Sequence, residues 1–84
     1  MGTIELGEYI VADPKICHGK LTFVGTRIFV TDVLDMVAEG MDWGDIVKEW
    51  RGDVSKEAIS EAVRLAGRAF LDHAEDYALE SVPV

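Results

Sequence analysis

Cysteine and histidine, the side chains most often used as nucleophiles, bases and metal ligands at neutral pH, occur at three positions: Cys17, His18 and His73. Cys17 and His18 are neighbours, so in an extended chain they point to opposite faces and cannot act together as nucleophile and base. On a helix, His73 and Asp76 could supply two ligands to a metal ion, but no second histidine or cysteine stands near them in the sequence. We therefore expect no enzymatic activity, no bound metal and no cofactor.

Glycines and tryptophans are the other residues that could mark a ligand site. Gly19 and Gly25 stand apart and do not form a glycine-rich loop that opens a helix, which disfavours a nucleotide site. Trp43 and Trp50 could stack on nucleic-acid bases, but together with Ile46 they follow the spacing of the apolar face of a helix. We interpret both tryptophans as packing residues.

Length and composition indicate one small globular domain over residues 1–84. The chain has a mass of 9.3 kDa, with 49% hydrophobic and 29% charged residues, a composition that favours folding over disorder. It lacks the run of about 18 apolar residues that a membrane span needs, and its first nine residues lack the order of a signal peptide. We expect a cytoplasmic protein that does not enter the membrane.

The formal net charge of −8 is concentrated in one part of the chain. Residues 1–31 hold equal numbers of acidic and basic side chains, so residues 32–84 carry the whole excess of acids. An acidic protein is repelled by DNA and by anionic lipid, and it is attracted to basic partners. A basic protein partner is therefore the expectation from charge alone.

Residues 9–30 have the alternation and the β-branched content of strands. We expect three strands here, over residues 9–12, 21–24 and 27–30. Pro14 ends the first strand, and Gly25 with Thr26 forms the turn before the last one. The result is a short antiparallel β unit that needs further packing to be stable.

From residue 31 the apolar period changes to that of helices. Thr31 is expected to cap a first helix over residues 32–39, which ends at Gly40. Asp42 is expected to cap a second helix that carries the two tryptophans and is broken at Gly52.

Ser55 is expected to cap a third, long helix that continues to near residue 79. Its distal half, from Phe70 to Leu79, carries an apolar stripe beyond the reach of the rest of the domain. We expect this half to pack on another chain or on the N-terminal strands.

The predicted fold is α+β and mainly α: the β unit over residues 9–30, followed by a three-helix bundle over residues 31–80. Two short helices joined at Gly40 and followed by a third helix are typical of a helix-turn-helix domain. A three-helix bundle without a nucleic-acid role would show the same pattern.

The order of residues also resembles the domain-of-unknown-function 433 family. The resemblance covers residues 9–75 and includes Ile10, Asp13-Pro14, Ile16-Cys17, Gly19-Lys20, Gly25-Thr26-Arg27-Ile28, Val30, Val33-Leu34, Ala38, Gly40-Met41, Ile46, Ile59 and Ala62. Members are small prokaryotic proteins with a β unit ahead of a homeodomain-like bundle, often encoded beside a PIN-like nuclease and regarded as VapB-type antitoxins. The resemblance implies an antitoxin or a small regulator, and not an enzyme. Our leading expectation is an antitoxin that neutralises a basic PIN-like ribonuclease, forms a homodimer and represses its own operon.

Two sets of residues follow as candidate contacts. If the third helix reads operator DNA, Lys56, Ser60 and Arg64 would reach base edges, while Arg27 and Lys48 would touch phosphates. The expected contacts with the protein partner are in the distal helix, at Phe70, Asp72, Asp76, Tyr77 and Glu80. The acids among them recur at intervals of four residues, so their mutual repulsion would be relieved by a basic partner.

Two alternatives stay open from the sequence. The first alternative to an antitoxin is a DNA-binding regulator without a toxin. The second is a dimeric interaction module that does not bind DNA. The charged residues of the third helix would also be expected if this face of the helix only contacts water.

Overall fold

The computed structural model describes residues 2–79 and shows three short strands followed by three helices. The strands are β1 (Ile4–Glu5), β2 (Ile10–Ala12) and β3 (Leu21–Phe23), and the helices are α1 (Val30–Ala38), α2 (Trp43–Glu49) and α3 (Lys56–Asp72). Two 3₁₀ turns, Cys17–Gly19 and Ala74–Tyr77, lie between β2 and β3 and after α3. The predicted mainly helical α+β fold is confirmed.

The sheet is antiparallel in the order β1-β2-β3. The prediction of a strand over residues 27–30 is wrong, because that segment makes a single bridge between Phe29 and Thr22, and Val30 already begins α1. The sheet is completed instead by β1, which lies before residues 9–30, the range predicted for the β unit. Val30 is only 5% exposed, so burial of this side chain from the first turn of α1 outweighs its preference for a strand.

Helix starts depart from the prediction at α1 and agree with it at α2 and α3. Phe29, which makes no side-chain capping bond, precedes α1, so Thr31 lies inside the first turn and is not a cap. Asp42 precedes α2, although its side chain makes no capping bond. The hydroxyl of Ser55 accepts a hydrogen bond from the N–H of Ala58 at 3.1 Å, the expected cap of α3.

The third helix is shorter than the sequence predicts. It ends at Asp72, and His73 leaves helical geometry before the second 3₁₀ turn begins. Its last turn holds no basic residue, and Asp72, Glu75 and Asp76 place negative charge at the negative end of the helix dipole. This repulsion gives a physical reason for the early end.

The hydrophobic core joins the sheet to all three helices. Its buried members are Ile10, Phe23, Val30, Val33, Ile46, Val54, Ala58, Ile59 and Ala62. Trp43 and Trp50 are half-buried against this cluster, which confirms their interpretation as packing residues. Within residues 2–79, the helices are all too short or too polar to cross a membrane.

Candidate interaction surfaces

A strip of polar and basic side chains runs along α3. Lys56, Ser60 and Arg64 are spaced by four residues, and Arg68 continues the same interval, so all four lie along one slowly turning line on the helix. Both arginines and the lysine are exposed, and Ser60 is half-buried. Ser60, Arg64 and Arg68 line one shallow depression of about 280 Å³. We call these four residues the basic strip.

The other two predicted DNA contacts lie on different elements. Arg27 is exposed in the connection between β3 and α1, and Lys48 is exposed on α2. Neither residue lines the depression beside the basic strip. The structure therefore groups two of the five predicted DNA contacts, Ser60 and Arg64, around one depression.

The turn between β1 and β2 is attached to α3 through one carboxylate. Glu61 accepts hydrogen bonds from the backbone N–H groups of Glu8 and Tyr9, at 3.0 and 2.8 Å. Gly7 has a φ of +139°, and a Cβ atom at this position would lie 2.7 Å from the Glu61 carboxylate. The positive φ favours glycine at this position, and a side chain here would displace the Glu61 carboxylate from its two hydrogen bonds with the turn.

Acidic side chains border the basic strip on the side of this turn. Glu57 and Glu61 line the same depression as Arg64 and Arg68. The negative charge of Glu8 raises the pKa of the Tyr9 phenol, and partial burial and the charges of the two α3 glutamates add to the effect. The depression is consequently mixed in charge.

An exposed apolar surface begins where the core ends. Phe70, Leu71 and Tyr77 are 51%, 75% and 59% exposed, and the rings of Phe70 and Tyr77 meet with their centroids 5.2 Å apart. We call residues 70–79 the tail segment. Of the two packing partners expected for this segment, the N-terminal strands do not cover these large side chains. Packing against another chain stays a prediction.

The predicted row of acids is not a straight row in the structure. Asp72 is the last residue of α3, whereas Asp76 lies in the 3₁₀ turn, where its carboxylate is 3.7 Å from Nδ1 of His73. Glu80 lies outside the described residues. Because the helix ends between Asp72 and Asp76, the interval of four residues does not place them on one helical face.

A groove separates the sheet from the C-terminal half of α3. Its apolar lining is Leu6, Ile10 and Leu21 on the side of the sheet and Leu65, Ala66 and Ala69 on the helix, and its volume is about 330 Å³. Arg68, Asp72 and His73 form its polar border. We call it the sheet–helix groove.

The reactive residues of the sequence do not form one site. Cys17 and His18 lie in the first 3₁₀ turn with positive φ angles of 50° and 59°, while His73 follows α3. Across residues 2–79, no three or more histidine, cysteine, aspartate or glutamate side chains are grouped as a metal would need.

Sequence reasoning missed part of each surface. Arg68 could have been found, because it extends the four-residue interval of Lys56, Ser60 and Arg64. The contact of Glu61 with the β1–β2 turn joins residues more than fifty positions apart, and no local pattern predicts it. The same holds for Leu6 and Leu21 in the sheet–helix groove.

A family model described as "Protein of unknown function (DUF433)" matches residues 10–66. The matched range begins in β2 and ends within α3, so it includes the core and most of the basic strip but stops before the tail segment. No curated protein and no solved structure matches the chain.

Proposed function

The chain belongs to the DUF433 family, and we propose that it is an antitoxin-type protein that binds and inhibits a basic, PIN-like ribonuclease through its tail segment. The observation that carries this proposal is the exposure of Phe70, Leu71 and Tyr77 in a segment that is also acidic. The segment lies beyond the range matched by the family model.

Burial of the tail aromatics would supply much of the binding free energy. Taking about 200 Å² for an aromatic side chain, the exposed halves of Phe70 and Tyr77 offer roughly 200 Å² of mostly apolar surface. At about 25 cal/mol per Å², this burial contributes on the order of 5 kcal/mol before the costs of association. Aromatic side chains of this kind are frequent hot spots of protein interfaces.

The charge of the tail selects the class of partner. The tail segment contains three acids, Asp72, Glu75 and Asp76, and Glu80 follows it; residues 69–84 contain no lysine or arginine. A ribonuclease holds its substrate phosphates in a basic channel, which complements this charge. An acidic tail in that channel would exclude the substrate and so inhibit the enzyme.

Co-expression with the product of the neighbouring gene tests the proposal, which expects that gene to encode a PIN-like nuclease. We expect the two proteins to co-purify and the complex to be inactive on RNA. The variant F70S/Y77S should lose both the complex and the inhibition. The control I4S/V24S replaces two similarly exposed apolar side chains on the sheet side and should retain the complex and the inhibition. The proposal would be overturned if the unmodified chain formed no complex, or if F70S/Y77S inhibited the nuclease as well as the unmodified chain does.

The acids need a separate variant. Replacing Asp72, Asp76 and Glu80 together by alanine should weaken the complex and reduce its dependence on salt, because screening acts on the charges that have been removed. The same change should raise the helix content of the isolated chain. Unchanged inhibition would restrict the interaction to the apolar side chains.

DNA binding is a second candidate function, favoured by the basic strip on the third helix of a three-helix domain. We propose that α3 acts as the recognition helix of a helix-turn-helix, with Lys56 and Arg64 as contacts. K56E/R64E should abolish retention on DNA from upstream of its own gene, while K15E/R51E, with the same change in charge elsewhere, should reduce it only modestly. Equal retention of the two variants would place the contact outside α3.

A further inference from the structure

Residues 2–9 lie along one flank of α3, and we call them the strap. They comprise β1 and the turn that leads into β2; Leu6 and Tyr9 are half-buried, and the other residues of the strap are exposed. The family model matches the chain from residue 10, so the strap lies outside the matched domain. Its contacts with α3 are therefore the best indication of its role.

The strap is attached to α3 by few contacts. Within residues 2–79, the hydrogen bonds between the two segments both end on Glu61, which accepts the N–H groups of Glu8 and Tyr9. On its other side, the strap pairs with β2 over the two residues of β1. Segments with few buried contacts open more readily than the core does. We therefore expect the strap to separate from α3 while the rest of the domain stays folded.

Glu61 binds the strap and not its neighbour on the helix. Arg64 follows it by three residues, a spacing at which glutamate and arginine side chains are able to form an ion pair. Among residues 2–79, however, the only such contact of an acidic with a basic side chain joins Asp76 and His73. The charge of Arg64 is thus free to meet an anionic partner, while the space beside it is occupied by the strap.

The position of the strap conflicts with DNA binding by α3. An α-helix with its side chains is about 10–12 Å across and the major groove is about 12 Å wide, so a recognition helix fills the groove. Side chains three residues apart on a helix are neighbours, about 5–6 Å apart at Cβ, so the strap meets α3 right beside Arg64. In the groove it would collide with the DNA, and the Glu8 carboxylate would be repelled by the phosphates.

We propose that the strap is an autoinhibitory segment, held closed over the flank of α3 by Glu61. This role rests on the DNA-binding function proposed above and regulates the same surface. In the closed state the strap excludes α3 from the major groove, and in the open state its two hydrogen bonds to Glu61 are broken. Because coupling between two equilibria is reciprocal, opening of the strap raises the affinity for DNA, and bound DNA opens the strap.

Affinity for duplex DNA from upstream of the gene tests the role of Glu61. E61A removes the acceptor of both hydrogen bonds and should bind this DNA at least about fivefold more tightly than E57A, a difference typical of coupled sites. E57A removes the same charge from the same helix but leaves the strap attached. Circular dichroism at the assay temperature verifies that both variants are folded.

The outcomes separate the two proposals. Equal affinities of E61A and E57A would overturn the autoinhibitory role and leave DNA binding by α3 intact. If the unmodified chain and E61A both failed to bind DNA, the DNA-binding function and its regulation would be overturned together.

Amide hydrogen exchange tests the same role in the unmodified chain, without a variant that loses stability. Because DNA would bind the open state, saturating duplex should speed exchange of the Glu8 and Tyr9 N–H groups at least about fivefold. The N–H of Phe23, which bonds to the carbonyl of Ile28, is the reference and should not exchange faster. Unchanged or slower exchange at Glu8 and Tyr9 in the DNA complex would contradict opening of the strap.

Discussion

The carboxylate of Glu61 accepts a hydrogen bond from the backbone N–H of Tyr9 at 2.8 Å, across 52 positions of sequence. A second bond from the N–H of Glu8 makes the attachment bidentate. Through this one side chain, the β1–β2 turn is fixed beside the basic strip.

Replacing Glu61 by alanine should reduce the free energy of unfolding by about 1–3 kcal/mol, because two backbone N–H groups lose a charged acceptor. Chemical denaturation measures the change. E57A, one turn earlier on α3 and exposed, is the matched control and should change stability by less than about 0.5 kcal/mol. Equal stabilities of E61A and E57A would contradict a structural role for the contact.

Removing the cap of α3 should also destabilise the domain. S55A removes the acceptor of the Ala58 N–H, and such substitutions cost about 1 kcal/mol. S60A makes the same chemical change inside the helix, where alanine is the better helix former. Thermal unfolding should therefore show a lower midpoint for S55A and an equal or higher midpoint for S60A.

Gly40 ends α1 with a φ of +85°, and no atom lies within 4 Å of where its Cβ would be. The expected defect of G40V is therefore backbone strain rather than a clash, with a loss of about 1–3 kcal/mol. G40N should lose less, since asparagine tolerates this conformation better than valine does. Identical unfolding midpoints for the two variants would contradict this explanation.

The raised pKa of Tyr9 predicts a loss of stability in alkali. The Glu8 charge is the largest cause of the shift, which starts from the ordinary value of 10.0. Above about pH 10 the unfolded chain releases the phenolic proton while the folded chain keeps it, so the unfolded state binds fewer protons and stability falls as the pH rises.

Tyrosinate absorbance can report this titration directly. The sequence has two tyrosines, so Y77F leaves Tyr9 as the only one that titrates. Adding E8Q to Y77F should lower the midpoint, because it removes the largest cause of the shift. A midpoint that does not move would mean that Glu8 does not set the pKa of Tyr9.

Local chemistry is enough to predict much of this protein. Ser55 marks the start of α3 and Gly40 the end of α1, because capping and positive φ depend on neighbouring residues only. The helical spacing of Trp43, Ile46 and Trp50 likewise predicted which side of α2 packs. The four-residue interval of Lys56, Ser60 and Arg64 predicted the line that they follow on α3.

Only the tertiary structure decided which segment completes the sheet and where the helices meet it. The chain from Arg27 to Val30 has the composition of a strand, yet Val30 enters the core at the start of a helix, while Ile4–Glu5 takes the remaining edge of the sheet. The contact of Glu61 with Tyr9 and the sheet–helix groove have the same origin. Each depends on segments that are distant in sequence and become neighbours when apolar surface is buried. A local pattern in the sequence does not predict which distant segments will meet.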